Sequence, residues 1–225
     1  MARKPKRSGR RTRKGRKQSA LKRLPGQREP RSHILITCEG AETEPNYFQA
    51  LRQELRLTSV EVEIQGKSHA SAPIRVVGFA IRKKADRVRD AKRSDFLTEY
   101  DEVWCVIDVE NPANNTPFKE AIQNAIRENL QLAVSNPAFE FWYLLHYEET
   151  SRAFRDGQEL KQALTVYEPN YQERTDMFTE LYHKTDLAIE RAKRILANQV
   201  DKEPYPNPST YVFKLVERLR VLAAS

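Results

Sequence analysis

The stretch His33-Ile-Leu-Ile-Thr-Cys-Glu-Gly-Ala-Glu-Thr-Glu-Pro-Asn-Tyr-Phe48 decides how the rest of the chain is read. An apolar run, Ile34-Leu35-Ile36, leads into Cys38-Glu39-Gly40, and Thr43-Glu44-Pro45 then opens a helix carrying Tyr47, Phe48 and Leu51. The pattern predicts a buried strand that delivers the Glu39 carboxylate to its C-terminal tip. Gly40 permits a tight turn there because it lacks a Cβ. Thr43 is the expected N-cap, and Pro45 suits a first helical turn, where its missing N–H costs nothing. Strand, acid, glycine turn and helix form a unit able to hold a metal or a phosphate.

Outward from this unit, the 225 residues suffice for one well-buried α/β domain with a small appendage. No apolar run approaches the roughly 18 residues of a membrane helix, and the basic N-terminus lacks the apolar core of a secretory signal, so a soluble, cytoplasmic protein is expected. Cys38 and Cys105 sit in apolar strand patterns without partners at metal-ligand spacing, which predicts reduced, buried thiols.

Charge divides the chain sharply. Residues 1–31 hold 14 Lys/Arg against one acid, Glu29; from totals of 39 and 31 this leaves 25 basic and 30 acidic residues in 32–225, a net of −5 beneath the overall +8. A stretch so poor in apolar residues buries too little surface to offset the entropy of ordering, so 1–31 reads as a disordered basic tail ahead of a folded 32–225. Such an arm neutralises phosphates and gives salt-sensitive, sequence-independent affinity for nucleic acid. The plainer alternative is a solubilising or partner-docking extension.

Along the folded part, strand His33–Cys38 is followed by a helix over Thr43–Leu57 and by Val60-Glu-Val-Glu-Ile64, whose alternation suits an edge strand. Gly66–Ser71 reads as a loop, and Pro73 starts a basic helix to Arg93 with a buried stripe at Ile74, Val77, Ile81, Ala85 and Val88. A third strand, Glu102–Ile107, ends in Asp108-Val109-Glu110, and Asn114–Pro117 caps a helix to Asn129 before a fourth strand at Leu130–Ser135. The βαβαβαβ order predicts a parallel sheet with helices on both faces. Helices then follow over Pro137–Tyr147, Gly157–Tyr167, Thr175–Asn198 (one broken or two short) and Pro208–Ala223.

Every strand of a parallel sheet ends on the same edge, where ligands gather, so Glu39 and Asp108 share that edge. Asp108 and Glu110 point the same way while the chain stays extended and can reach one cation. Oxygen ligands of this kind suit Mg²⁺ or Mn²⁺. Acids at strand ends also serve as plain helix caps or turn formers, but two such tips together repel each other, which a cation would relieve. The aromatic run Phe139, Phe141, Trp142, Tyr143 and Tyr147 has core spacing, and core is the favoured reading over a base-stacking platform. No phosphate-cradling G-x-x-x-x-G-K-[ST] is present, so ATP hydrolysis is not expected.

The Glu-Gly strand end paired with a later Asp-x-Asp/Glu strand end resembles the Toprim domain of topoisomerases, primases and overcoming-lysogenization-defect nucleases. More closely, CEGAETEPNYF, VIDVEN, Ser135–His146 and Asn207-Pro208-Ser209-Thr210 resemble the RloB-like proteins, a Toprim-related group linked to abortive phage resistance. The resemblance covers about residues 32–220. It implies an α/β, Toprim-like parallel sheet flanked by helices with a helical C-terminal part. It further implies Glu39 as general acid/base, Asp108 and Glu110 as a metal-binding pair together with Glu39, and Glu140 as an additional site carboxylate. Glu110 stands where the Toprim pattern usually has a second Asp, so its longer side chain can also act through a water. His146 and Lys184 fall in family-like stretches, Lys184 as a cation able to stabilise developing phosphate charge. Individually they also read as a satisfied helix histidine and a solvated cation. The resulting expectation is a Mg²⁺- or Mn²⁺-dependent nuclease, an antiviral effector acting on DNA or RNA, with an AAA- or ABC-type ATPase as partner and homo-oligomerisation open. A catalytically silent nucleic-acid- or ribosome-binding protein, and a phosphotransferase acting on small nucleotides, are the alternatives.

Overall fold

The computed structural model describes residues 32–64, 72–109, 116–199 and 204–224. The basic stretch 1–31, the loop after Ile64, Glu110 and the Asn114-Asn115 cap lie outside the described residues. Five strands among them form one sheet in the order β2-β1-β3-β4-β5: β1 Ile34–Cys38, β2 Val60–Ile64, β3 Glu102–Asp108, β4 Gln131–Asn136 and β5 Ser209–Thr210. The first four are parallel neighbours, and β5 runs antiparallel to β4 at the edge. With its flanking helices this is the expected α/β architecture followed by a helical C-terminal part.

Strand geometry distributes the apolar side chains to two cores, because successive residues face opposite sides of a sheet. Ile34, Ile36 and Cys38 of β1, with Trp104 and Val106 of β3, belong to a core shared with α1 (Thr43–Glu54), α4 (Glu140–Leu144), α5 (Gly157–Leu164), α6 (Phe178–Leu181), α7 (Thr185–Ala197) and α8 (Val212–Ala224). Leu35, Val103, Cys105 and Ile107 face the other core, closed by α2 (Pro73–Ala91) and α3 (Thr116–Arg127). Double-sided burial explains why β1 and β3 read as continuous apolar runs. Phe139, Phe141, Trp142 and Tyr143 are core residues, as their spacing suggests, and both cysteines are buried and free. No described helix is long and apolar enough to cross a membrane.

Several boundaries differ from the sequence reading. Helix α1 stops at Glu54 because Arg56 turns to φ 54 and the Leu57 N–H donates to Arg52 O at 3.0 Å. Thr43 is the first helical residue rather than the cap; the N-cap is Glu42, without a side-chain capping bond. Helix α2 buries Pro73, Val76, Val77 and Ala80, while Ala85 is exposed. Its second half meets charges of the edge strand instead of aliphatic surface, as Lys83 pairs with Glu63 at 2.7 Å and Arg87 with Glu61 at 3.2 Å. Part of the basic helix face is thereby neutralised. The helix expected over Pro137–Tyr147 narrows to α4 with single turns on either side, as in the Phe141 N–H to Ala138 O bond of 3.0 Å. Strand β5 was not foreseen, two residues being too few to show a period.

Strand β5 explains the late Asn-Pro-Ser-Thr block. Ser135 and Thr210 hydroxyls meet at 3.0 Å across β4 and β5, and Asn136 Nδ2 donates to Tyr205 O at 2.7 Å. Asn207 takes the Phe154 N–H on Oδ1 at 3.0 Å and returns Nδ2 to Phe154 O at 2.6 Å. These bonds fasten the segment ahead of α5 to the sheet edge. Asn207→Ala leaves both backbone groups of Phe154 without a protein partner, so urea unfolding should show a loss of about 1–3 kcal/mol.

Candidate functional site: a buried carboxyl cluster at the sheet edge

The parallel pairing of β1 with β3 sets Cys38 beside Val106 and carries Glu39, just after β1, and Asp108, the last residue of β3, to one edge. The Glu39 N–H donates to Val106 O at 3.1 Å, and the Asp108 N–H donates to Glu39 Oε2 at 3.1 Å. Asp108 Oδ2 accepts the Phe139 N–H at 3.2 Å, tying β3 to the turn that opens α4. Asp108 thus does act as a local cap, the plainer role of such an acid. Its other oxygen, Oδ1, is buried and has no hydrogen-bond partner among the described residues.

Two further carboxyls join this pair. Glu44, in the first turn of α1, is 4% exposed and accepts the Gly40 N–H at 3.1 Å. A Cβ on Gly40 would overlap the Glu44 carboxyl. Gly40 is therefore needed for close approach, not for a left-handed backbone angle. Glu140, first residue of α4, accepts from the Tyr171 hydroxyl at 3.0 Å and lies 3.6 Å from Lys161 Nζ. Lys161, on α5, also pairs with Glu173.

These side chains line a cleft of about 570 Å³ whose walls include Glu39, Gly40, Glu44, Asp108, Glu140 and Lys161. Lys161 is the one cation among its described lining residues. Burial pushes the Asp108 carboxyl well above the usual carboxylate range, and the neighbouring charges of Glu44, Glu39 and Glu140 add to the effect. Glu44 is pushed up to about 7, first by burial and then by Glu140 and Glu173, against the stabilising backbone N–H groups. Glu140 is raised by burial and partly restored by Lys161.

The structure brings together Glu39, Asp108 and Glu140 of the expected residues. Glu110 lies outside the described residues. His146 and Lys184 are not in the cleft lining. His146 is buried, its Nδ1 2.8 Å from Trp142 O, and burial lowers its pKa to about 3, which leaves it neutral. Lys184 Nζ sits 4.5 Å from the Tyr147 ring centre. Sequence reading missed Glu44, Lys161, Tyr171 and Glu173. Glu44 was in view as a helix-start acid; Lys161, Tyr171 and Glu173 lie in surface-like text with no motif to mark them. Among the described residues, no group of three or more His, Cys, Asp or Glu is arranged to hold a metal ion.

The raised Glu44 gives a signed pH dependence. The folded protein keeps the Glu44 proton up to about pH 7, whereas an unfolded glutamic acid releases it near 4.5. Stability associated with this group is thus fully present below about pH 4.5 and is lost as pH rises through 7. In EDTA, Glu44→Gln should unfold at higher urea than wild type at pH 8, by on the order of 2–3 kcal/mol, with the gap closing towards pH 4.5. A gap of the same size at both pH values would refute this assignment.

Among the curated proteins and the solved structures, nothing matches the chain. A family model described as RloB-like protein matches residues 34–219. That span holds the whole described sheet, the cleft acids Glu39, Glu44, Asp108 and Glu140, and the Asn-Pro-Ser-Thr block that fastens β5. The chain belongs to the RloB-like family.

Proposed function

We propose that the protein is a metal-dependent phosphodiesterase that cleaves nucleic acid. The observation that carries this reading is the convergence of Glu39, Glu44, Asp108 and Glu140 on one cleft with Lys161 as the cation in its described lining. Desolvated carboxyls at close quarters raise one another's free energy, and a bound cation relieves it. Asp108 Oδ1, buried and without a hydrogen-bond partner among the described residues, offers one donor oxygen, and the adjacent Glu39 carboxylate offers others. Oxygen-only donors suit Mg²⁺ or Mn²⁺. Glu110 is the third ligand that the Asp-x-Glu pattern supplies. An ion held there contributes Lewis-acid polarisation of a phosphate oxygen and a water of lowered pKa.

The chain's own groups do the positioning. The Phe139 and Asp108 N–H bonds fix the Asp108 and Glu39 carboxyls against the sheet edge. Glu39 stands at the mouth of the strand as the group that takes or returns a proton. The 14 basic residues of 1–31 favour a polyanionic substrate over a small nucleotide. Family membership supports a wider reading, an effector of antiviral defence working with an AAA- or ABC-type ATPase. A second reading, a catalytically silent nucleic-acid-binding protein, is favoured by one observation: the described acids do not by themselves make a metal-ligand set.

Cleavage of plasmid DNA, single-stranded DNA and total tRNA with Mg²⁺ or Mn²⁺ separates the two. Wild type should cut at least one polymer, and Glu39→Gln and Asp108→Asn should each lower the rate about 100-fold or more, the scale for losing a charge-stabilising group. Equal inertness of all three proteins, with salt-sensitive binding retained and an added genomic-neighbour ATPase making no difference, would favour the silent binder.

A further inference from the structure

We infer that Tyr167, stacked on Tyr147, is a platform for an unpaired base of single-stranded nucleic acid. The inference rests on the polymer-binding reading above but not on its chemistry. The two rings lie parallel, with centroids 4.9 Å apart and planes 10° apart. The other aromatic pairs of the described residues are edge-on or tilted, the geometry of packed cores. Tyr167 is 38% exposed, and Val166 beside it is 76% exposed, so apolar surface is presented to solvent at this point.

The hydroxyls are already engaged. Tyr147 donates to Glu168, and Tyr167 donates to Glu148 at 2.8 Å. Those bonds hold the rings by their edges, and Glu180 also acts electrostatically on Tyr147. Lys184 stands over Tyr147, and Arg191 lies near enough to act electrostatically on Tyr167. Fixed aromatic faces with cations nearby are what stacks a base and accompanies its phosphate, with little preference for sequence. A base inside a duplex hides its faces, so the fitting occupant is an unpaired strand.

Position strengthens the argument. Helix α4 begins at Glu140 in the cleft, and Tyr147 follows its end. Helix α5 carries Lys161 in the cleft, and Tyr167 lies six residues beyond, where its N–H still bonds Leu164 O at 3.0 Å. Six residues span at most ~20 Å even when fully extended. Stacked nucleotides advance ~3.4 Å each, so a strand with one phosphate at the cleft reaches the tyrosines within about six nucleotides.

The test uses the full chain in EDTA, which removes any metal-dependent step, and a single-stranded oligonucleotide containing 2-aminopurine, whose fluorescence falls on stacking. Wild type should quench the probe. Tyr167→Phe and Tyr167→Trp should keep both quenching and affinity, and Tyr167→Ala should lose the quenching and bind about tenfold more weakly at one fixed salt concentration. Binding and quenching by Tyr167→Ala equal to wild type would overturn the inference. So would an equal loss in Tyr167→Phe, which would assign the effect to the Glu148 hydrogen bond, or no quenching by wild type. Quenching with this mutant pattern in a protein that cuts nothing with Mn²⁺ would uphold the platform while the phosphodiesterase reading fell.

Discussion

The hydrogen bond from the Asp108 N–H to Glu39 Oε2 is the contact on which the site depends, and the central pairing of β1 with β3 makes it possible. Both strands are buried on two faces, so their register cannot slip without moving apolar residues from one core to the other. Register in turn fixes where each chain leaves the sheet. Cys38 opposite Val106 leaves Glu39 level with the last residues of β3, within reach of the Asp108 backbone. The acids are therefore held in place by the whole double core and not by local loop structure.

The helices refine what the sheet begins. Asp108 Oδ2 takes the Phe139 N–H, which ties the entry of α4 to β3 and brings Glu140 to the same edge. The opposite side of that entry is steadied by β5 and the two asparagines, Asn136 on Tyr205 and Asn207 on Phe154. The Asn-Pro block late in the chain is thus structural. It anchors the segment leading to α5, whose N-cap Asp156 accepts the Glu159 N–H at 2.8 Å and whose next turn supplies Lys161. Blocks far apart in sequence thus either line one cleft or brace the segments that do.

Strand tips were legible in the sequence because double-sided burial writes itself as an apolar run, and an acid directly after such a run is conspicuous. Glu39 and Asp108 could be placed on one edge from strand order alone. Gly40 was legible as a requirement but not for its reason, since the approach of Glu44 is a contact between a turn and a helix that no periodicity encodes. Ala85 followed the helical spacing yet is exposed, because the partner of that part of α2 is a charged edge strand. Lys161 and Tyr171 were invisible for a simpler reason: each is one polar residue on a solvent-facing stretch, and its meaning comes from Glu140, which lies on another element.

The cleft carboxyls are chemically unequal, and their surroundings divide the labour among them. Glu140 has Lys161 and the Tyr171 hydroxyl beside it, both of which favour its ionised form against burial. Glu44 has only backbone N–H groups to set against burial, and carries its proton to about pH 7. Near neutrality the cleft therefore holds less negative charge than a count of its acids suggests, which lets four carboxyls coexist in a small volume. Asp108 is raised in the same direction, by burial and by three neighbouring acids, and its Oδ1 has no hydrogen-bond partner among the described residues. In the reading proposed above, a cation would give such a group both a partner and the opposite charge. Placing the acid at the end of a twice-buried strand makes the carboxyl costly to leave alone, and that cost is the physical ground for the cation proposed above.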